Sequence, residues 1–286
     1  MKTIIYAIVA MLIVGSIATG FTNKANPKII LLIQSADSNI SLDALSQSAQ
    51  IISNRLKDFS SDKPDVTMIS EKKQIQVNLN EGQDITLLEN LLTHKGSLGF
   101  FETYNRGNIT ELLKGDTRLY SLFDESDTSN SAVRIGCTSE TAAEKVNDYL
   151  RSLRMHQRCR FAWSQSFGNA DLCLYALRLG EEKDALLTGA DVESMKFTHE
   201  NDPHLNVIQI KFRKPAIGIW AEATHRNIGK AIAIVLDDQV LSAPVVRSEI
   251  QGGNCSITGN FSIDEARYIV ALGNNGELPV NFTVVK

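Results

Sequence analysis

Beyond Phe21 the chain has no apolar run long enough to cross a bilayer. A spanning helix takes about 20 mostly apolar residues, whereas the longest later runs, near Ile29 to Ile33 and Ala231 to Leu236, are strand-sized. The Gly-x-Gly-x-x-Gly and phosphate-loop patterns of nucleotide sites are missing, and so is the His-Glu-x-x-His pattern of zinc hydrolases. No nucleophile, base or metal set stands out, so neither an enzyme nor a cofactor is expected. There is no excess of positive charge: 29 Lys and Arg against 33 Asp and Glu leave a net charge of −4, which argues against a nucleic-acid partner. Repeats of solenoid length and low-complexity runs are also missing. With 43% hydrophobic and 22% charged residues the composition is that of an ordinary globular protein, which excludes a disordered tail.

The one membrane-sized feature is Ile4 to Ala18, preceded by Lys2 and followed by Ala18-Thr19-Gly20. A short apolar stretch with small residues behind it favours a cleaved signal peptide; the other reading is a single membrane anchor. Under either reading residues 1–21 deliver residues 22–286 out of the cytoplasm. The exported part, roughly 265 residues, is enough for one large or two modest cores.

Periodicity divides the exported part into two α+β halves and an insert. In residues 22–104, Ile29 to Ile33 reads as a strand. Leu42, Leu45, Ala49, Ile52, Leu56 and Phe59 fall on one helical face. Val66 to Ile69 and Ile75 to Leu79 read as paired strands, Ile85 to Leu92 as a helix and Leu98 to Tyr104 as a closing strand, the order βαββαβ of a ferredoxin-like unit. Residues 188–286 repeat that logic with Val207 to Phe212, a helix over Ala216 to Ile228, a hairpin turning at Asp237-Asp238, a helix from Ser262 to Gly273 and a last strand from Val280. Residues 105–187 form the insert, with strands at Val133 to Cys137, Cys159 to Trp163 and Leu172 to Leu179 and a helix over Thr141 to Leu153. The expected fold is α+β, two ferredoxin-like halves forming a base with an inserted α+β subdomain.

The stretch Lys230 to Val280 is the most particular. It holds the Ala-Ile-Val-Leu-Asp strand and turn ending at Asp237, the Ser242-Ala243-Pro244 step, Ile257 to Gly259 with Phe261, the capping box Ser262-x-x-Glu265, and Gly276-Glu277-Leu278-Pro279. In these motifs and their order it resembles the C-terminal part of the first periplasmic domain of SecD, the membrane protein that works with SecF beside the Sec translocation channel. Thr224 to Gly229, Gly189 to Val192, Asn54-Arg55-Leu56 and Gly96 to Phe101 resemble other parts of that domain, so the likeness spans roughly Leu42 to Val280. The resemblance implies that the insert makes a mobile head on the base. It also implies a bacterial envelope location on the periplasmic side, anchored in the inner membrane or secreted. In SecD the Leu-Pro step leads into further membrane helices that house a proton-coupled motor. The sequence here runs only to Lys286, so a truncated relative without its own motor is expected. Asp237, Pro244, Gly259, Phe261, Leu278 and Pro279 match the family as a structural motif; of these, Asp237, Pro244, Gly259 and Pro279 are read mainly as turn and chain-reversal residues that fix the fold.

Four cysteines, Cys137, Cys159, Cys173 and Cys255, fit no zinc spacing, and in an exported chain disulfides can persist. A hairpin centred near Ser166 would set Cys159 opposite Cys173, making that bridge possible; the other reading takes all four as small buried hydrophobes. His199, Glu200, Asp202 and His204 could ligate a metal, but Asn201-Asp202-Pro203 is first a turn signal. The Asp237-Asp238 pair is explained by its turn. Arg151, Arg154, Arg158 and Arg160 straddle a helix end, where cations suit the macrodipole; they could also meet an acidic partner.

These readings converge on an accessory of Sec-dependent export that binds translocating, unfolded polypeptide. Its other partners would be the Sec channel and SecF or a full-length SecD, and the membrane if the first segment stays uncleaved. The alternative is a stand-alone envelope binding or scaffold module that keeps the fold without the export role.

Overall fold

The computed structural model describes residues 28–60, 64–80, 84–124, 132–153, 159–164, 171–180, 185–199, 206–259 and 261–285. The apolar segment Ile4 to Ala18 lies outside them. Among the described residues no helix is long and apolar enough to cross a membrane.

The N-terminal part forms β1 (Lys28–Ser35), α1 (Leu42–Phe59), β2 (Asp65–Ile69), β3 (Gln74–Asn80), α2 (Ile85–Thr93) and β4 (Leu98–Tyr104). Alternation makes β1 and β3 strands with one buried face: Leu31, Ile33, Ile75, Val77 and Leu79 point inward, while Ile30 lies exposed. The Ser41 hydroxyl caps α1 by accepting from Ala44 N–H; of the stripe the spacing predicts, Leu45, Ile52, Leu56 and Phe59 are buried and Ala49 half-buried, while Leu42, in the first turn, is exposed. Asp84 caps α2 in the same way.

Next come α3 (Arg106–Leu112), β5 (Arg134–Ser139), α4 (Glu140–Ser152), β6 (Cys159–Trp163) and β7 (Asp171–Arg178). All but α3 match the elements expected of the insert. They enclose a separate small core of Ile109, Leu119, Tyr120, Ile135, Val146, Cys159, Leu174 and Ala176. The chain returns through β8 (Leu187–Thr188), β9 (Val192–His199), β10 (Asn206–Phe212), α5 (Lys214–Arg226), β11 (Ile232–Leu236), β12 (Gln239–Ser242), β13 (Asn254–Gly259), α6 (Ile263–Asn275) and β14 (Phe282–Val284).

The sheets do not follow two βαββαβ halves. The first sheet has the antiparallel order β14-β1-β3-β2, so its edge beside β1 is filled from the C-terminal end of the chain. β4 instead joins β12-β11-β4-β7-β5, with β6 beside β7 and β8 beside β4. The cause lies in the side chains. The first sheet has one buried face and an outer face of Gln34, Gln74 and Asn78 with their amide hydrogen bonds. β4 is apolar on both faces, with Leu98 and Phe100 in the main core and Phe101 in a second cluster with Ala162, Leu177, Ala233, Val235 and Val240. All five residues of β11 are buried, so this strand too needs neighbours and cover on every side. An isolated bridge between Ser164 and Val240 brings the end of β6 back to β12. The remaining strands form a three-stranded sheet, β13-β10-β9.

Two further sequence readings are corrected. The Ser262 capping box starts α6 as expected, but the helix runs past Gly273 to Asn275 and ends on Gly276 at φ 73°. Gly273 lies inside the helix, and its missing side chain makes room for Met195 on β9, whose Sδ a Cβ there would meet. The disulfide joins Cys137 to Cys173, not Cys159 to Cys173. β7 lies between β5 and β6; its register sets Cys173 opposite Cys137 and sets Cys159 opposite Arg178. The β6–β7 pairing is thus displaced from a hairpin centred near Ser166, and Cys159 stays free and buried.

Candidate functional site

Arg55 lies on the buried stripe of α1 and is fully shielded from solvent. Its Nη1 donates to Leu91 O at 3.2 Å and His94 O at 2.7 Å, and its Nη2 to Lys95 O at 2.7 Å and Gly276 O at 2.8 Å. These acceptors are the ends of α2 and α6, where carbonyls have no intrahelical partner and the helix dipole is negative. Burial lowers the Arg55 pKa to about 10, opposed by Asp237 and Tyr268, so the group stays charged at neutral pH.

Asp237 and Asp238 turn the β11–β12 hairpin with φ of 48° and 67°, a left-handed pair that short polar side chains tolerate. The Asp237 carboxylate accepts from Gly96 N–H at 2.9 Å and Ser97 N–H at 2.7 Å, and its own N–H donates to Ser97 O at 2.9 Å. Leu278 N–H donates to Lys95 O at 2.8 Å, and Glu277 meets both Lys95 Nζ and Ser97 Oγ. Gly96 has φ +81° and faces the Arg55 guanidinium, so a side chain is excluded there on two grounds. The separate stretches around Arg55, Gly96, Asp237 and Gly276 to Leu278 are therefore one knot. Asp237→Ala removes two charge-assisted bonds and places a less tolerant residue at positive φ. The expected loss is about 2 kcal/mol in urea unfolding, with Asp237→Asn losing less.

Beside the knot opens a polar cleft of about 530 Å³, lined by Thr93, His94, Ser97, Asp237, Gln239 and Tyr268 among others. His94 Nδ1 and the Tyr268 hydroxyl are hydrogen-bonded across it. Burial lowers the His94 pKa and raises that of Tyr268, so both are neutral near pH 7. Lys95 is paired with Glu277, and Asp238 with Arg160 at 2.7 Å. The charged side chains here are spent on one another or on backbone, an arrangement that holds a fold rather than activating a reactant.

A second concavity, about 210 Å³ and mostly apolar, lies between residues 244–250 and β13. Trp220, Thr224, Ile232, Ile234 and Cys255 line it.

The remaining sequence candidates are spread apart. Pro244 O accepts from Ile232 N–H at 3.3 Å and the residue borders the apolar concavity. Gly259 pairs with Asn206 at the end of β13, and the buried Phe261 follows, its carbonyl accepting from Asn206 Nδ2. Leu278 is buried and Pro279 exposed. Arg151 is held by Glu144 and Asp148 on its own helix, and Arg160 by Asp238 and the Phe101 ring; Arg154 and Arg158 lie outside the described residues. So do Glu200, Asp202 and His204, and among the described residues no group of three His, Cys, Asp or Glu side chains could hold a metal. His94, Tyr268 and Trp220 carried no sequence signal, because lone aromatic and imidazole residues look alike in core and cleft.

Comparison with known proteins gives these features a context. Residues 177–280 match the family described as SecDF, P1 head subdomain. That span lies mostly in what the sequence reading assigns to the C-terminal half of the base. The SecD protein translocase subunit of Calditerrivibrio nitroreducens is 37% identical over 108 residues, covering 37% of this chain and 20% of the relative. That of Acidaminococcus fermentans is 37% identical over 105 residues, 37% of this chain and 25% of the relative. The chain thus aligns with about a fifth to a quarter of the curated relatives it matches. A solved structure of SecDF, described as a membrane component that enhances protein export, superimposes with a TM-score of 0.52 at 22% identity over 90% of this chain and 98% of that one. SecDF in a super-membrane-facing form gives a TM-score of 0.55 over 90% of this chain and 29% of that one. The fold is that of the SecDF periplasmic region, and residues 177–280 are SecD-like in sequence.

Proposed function

We propose that this chain is a SecD-like accessory of protein export that binds unfolded polypeptide on the extracytoplasmic side of a bacterial membrane. The observation that carries the reading is the knot at Arg55. The stretches that resemble SecD, scattered from Asn54 to Pro279 in sequence, supply its Arg55, Gly96, Asp237 and Gly276 to Leu278, so the resemblance has a common structural cause. Unfolded chain offers mainly peptide groups, which a strand edge recognises with little sequence demand. Such binding is weak because the client must be ordered. The separate core around Ile109 and Ile135 supports treating residues 105–187 as a subdomain carried on the base. The disulfide suits an oxidising envelope compartment.

The test is a crosslinking pull-down from native membranes with a tag after Lys286 and N-terminal sequencing of the bait. Recovery of Sec channel subunits is the expected result. A soluble bait without them would replace this reading with a stand-alone envelope binding module.

A further inference from the structure

The apolar concavity beside β13 has the geometry of a slot between two strand edges. In the β10–β13 ladder, Phe212 N–H donates to Gly253 O. The pairs Ile210–Cys255 and Ile208–Ile257 are therefore the hydrogen-bonded ones, and Asn254, Ser256 and Thr258 turn their peptide groups away from β10. Trp220 Nε1 confirms that direction by donating to Asn254 O from the far side. Across the slot, Pro244 O and both peptide groups of Val246 are used by residues 229–232, which leaves those of Val245 turned outward. Between the edges lie Trp220, Ile232 and Ile234, and the volume of about 210 Å³ has room for one large apolar side chain.

The charged side chain that lines this slot is a cation. Arg247 lines it and is exposed, and among the described residues it makes no ion pair or hydrogen bond. The nearest acid in sequence, Glu249, does not line the slot, and its carboxylate is hydrogen-bonded by His225 at 3.2 Å. The opposite edge of the same sheet is met at one residue: the Asn274 side chain accepts from Met195 N–H and donates to Met195 O, as a neighbouring strand would there. One edge is thus met at Met195, and the other, where Trp220 takes Asn254 O, carries no neighbouring strand among the described residues and lies beside an apolar floor and an unpaired cation.

We infer that this slot binds an extended polypeptide segment as an added strand on β13, seating one apolar side chain over Trp220 and Ile234 and an acidic side chain against Arg247. This deepens the proposed function, on which it rests, by giving the client a local pattern: an apolar residue followed closely by an acidic one.

Two variants of the full chain test it. Arg247→Glu reverses an exposed charge, and Ser256→Pro removes an N–H that faces the slot while leaving the β10 ladder intact. Thermal melting establishes that each is folded. The probes are a fluorescein-labelled decapeptide with one leucine two residues before one aspartate, its asparagine counterpart, and reduced, carboxymethylated α-lactalbumin as an unfolded client. Arg247→Glu should weaken the aspartate peptide by about five- to tenfold and leave the asparagine peptide unchanged, and Ser256→Pro should weaken both. If the wild type binds the unfolded client and both folded variants bind all probes equally well, the slot assignment is wrong while the export reading stands. If the wild type binds none of the probes, both fail.

Discussion

Arg55→Met unfolds at much lower denaturant than the wild type, with an expected loss of about 3–5 kcal/mol. The methionine keeps the apolar stem of the side chain, so the cavity term is small. What is lost is the partner of four carbonyls, Leu91, His94, Lys95 and Gly276, in a place water does not reach. Each buried acceptor left unpaired costs about 1–3 kcal/mol, and relaxation of the two helix ends recovers part of the sum. In a domain of this size the change corresponds to roughly 10 °C in melting temperature. Arg55→Lys retains charge but gathers its donors on one nitrogen, whereas Nη1 and Nη2 each serve a separate pair of carbonyls, so it should recover less than half of the loss. Equilibrium urea unfolding followed by circular dichroism measures all three proteins. A methionine variant within 1 kcal/mol of the wild type would mean that the knot is not what joins the two helix ends.

The knot also shows how far the sequence can be read. The stripe on α1 was legible at Leu45, Ile52, Leu56 and Phe59 because apolar spacing reports burial directly. Arg55 sits on that same stripe one helical turn from Ile52, but a charged residue in sequence reads as solvent-facing, and nothing local discloses four carbonyls arriving from residues 91–95 and 276. The turn at Asp237-Asp238 was visible because turn chemistry is local; that its carboxylate clasps Gly96 and Ser97, 140 residues away, is a property of the closed fold. Most strands were read, though β9 and β13 were not set out as strands, and sheet membership was not read. β4 looked like the closing strand of its own half, and only the two-sided apolar pattern of Leu98, Phe100 and Phe101 hinted that it belongs in the interior of another sheet. The short run Phe282–Val284, which takes its place, has one buried residue, Phe282, too little pattern to announce a partner 250 residues upstream. The slot at β13 was legible only as Pro244 and a run of β-type residues, since an unused strand edge is defined by what does not pair with it.

Removing the Cys137–Cys173 bridge should loosen the insert and leave the base standing. The bridge closes a loop of 36 residues, for which chain entropy sets a contribution of about 4 kcal/mol at most, and about 2–4 kcal/mol is typical. It ties β5 to β7, so the loss falls on the small core of Ile135, Val146 and Leu174 rather than on the main one. The two tryptophans separate these regions. Trp163 belongs to the insert, near Phe123 and donating to Asn147 Oδ1 at 2.9 Å, whereas Trp220 packs with Phe100 and Phe212 in the main core. In Trp220→Phe protein, leaving Trp163 as the reporter, Cys137→Ser/Cys173→Ser should move the fluorescence transition to clearly lower urea. In Trp163→Phe protein, reporting through Trp220, the same pair of substitutions should move it little. If both reporters shift together, β4 and β11 couple the two cores into one cooperative unit. Motion of the insert would then require the sheet that contains β4, β7 and β11 to rearrange, because no hinge between independent bodies would remain.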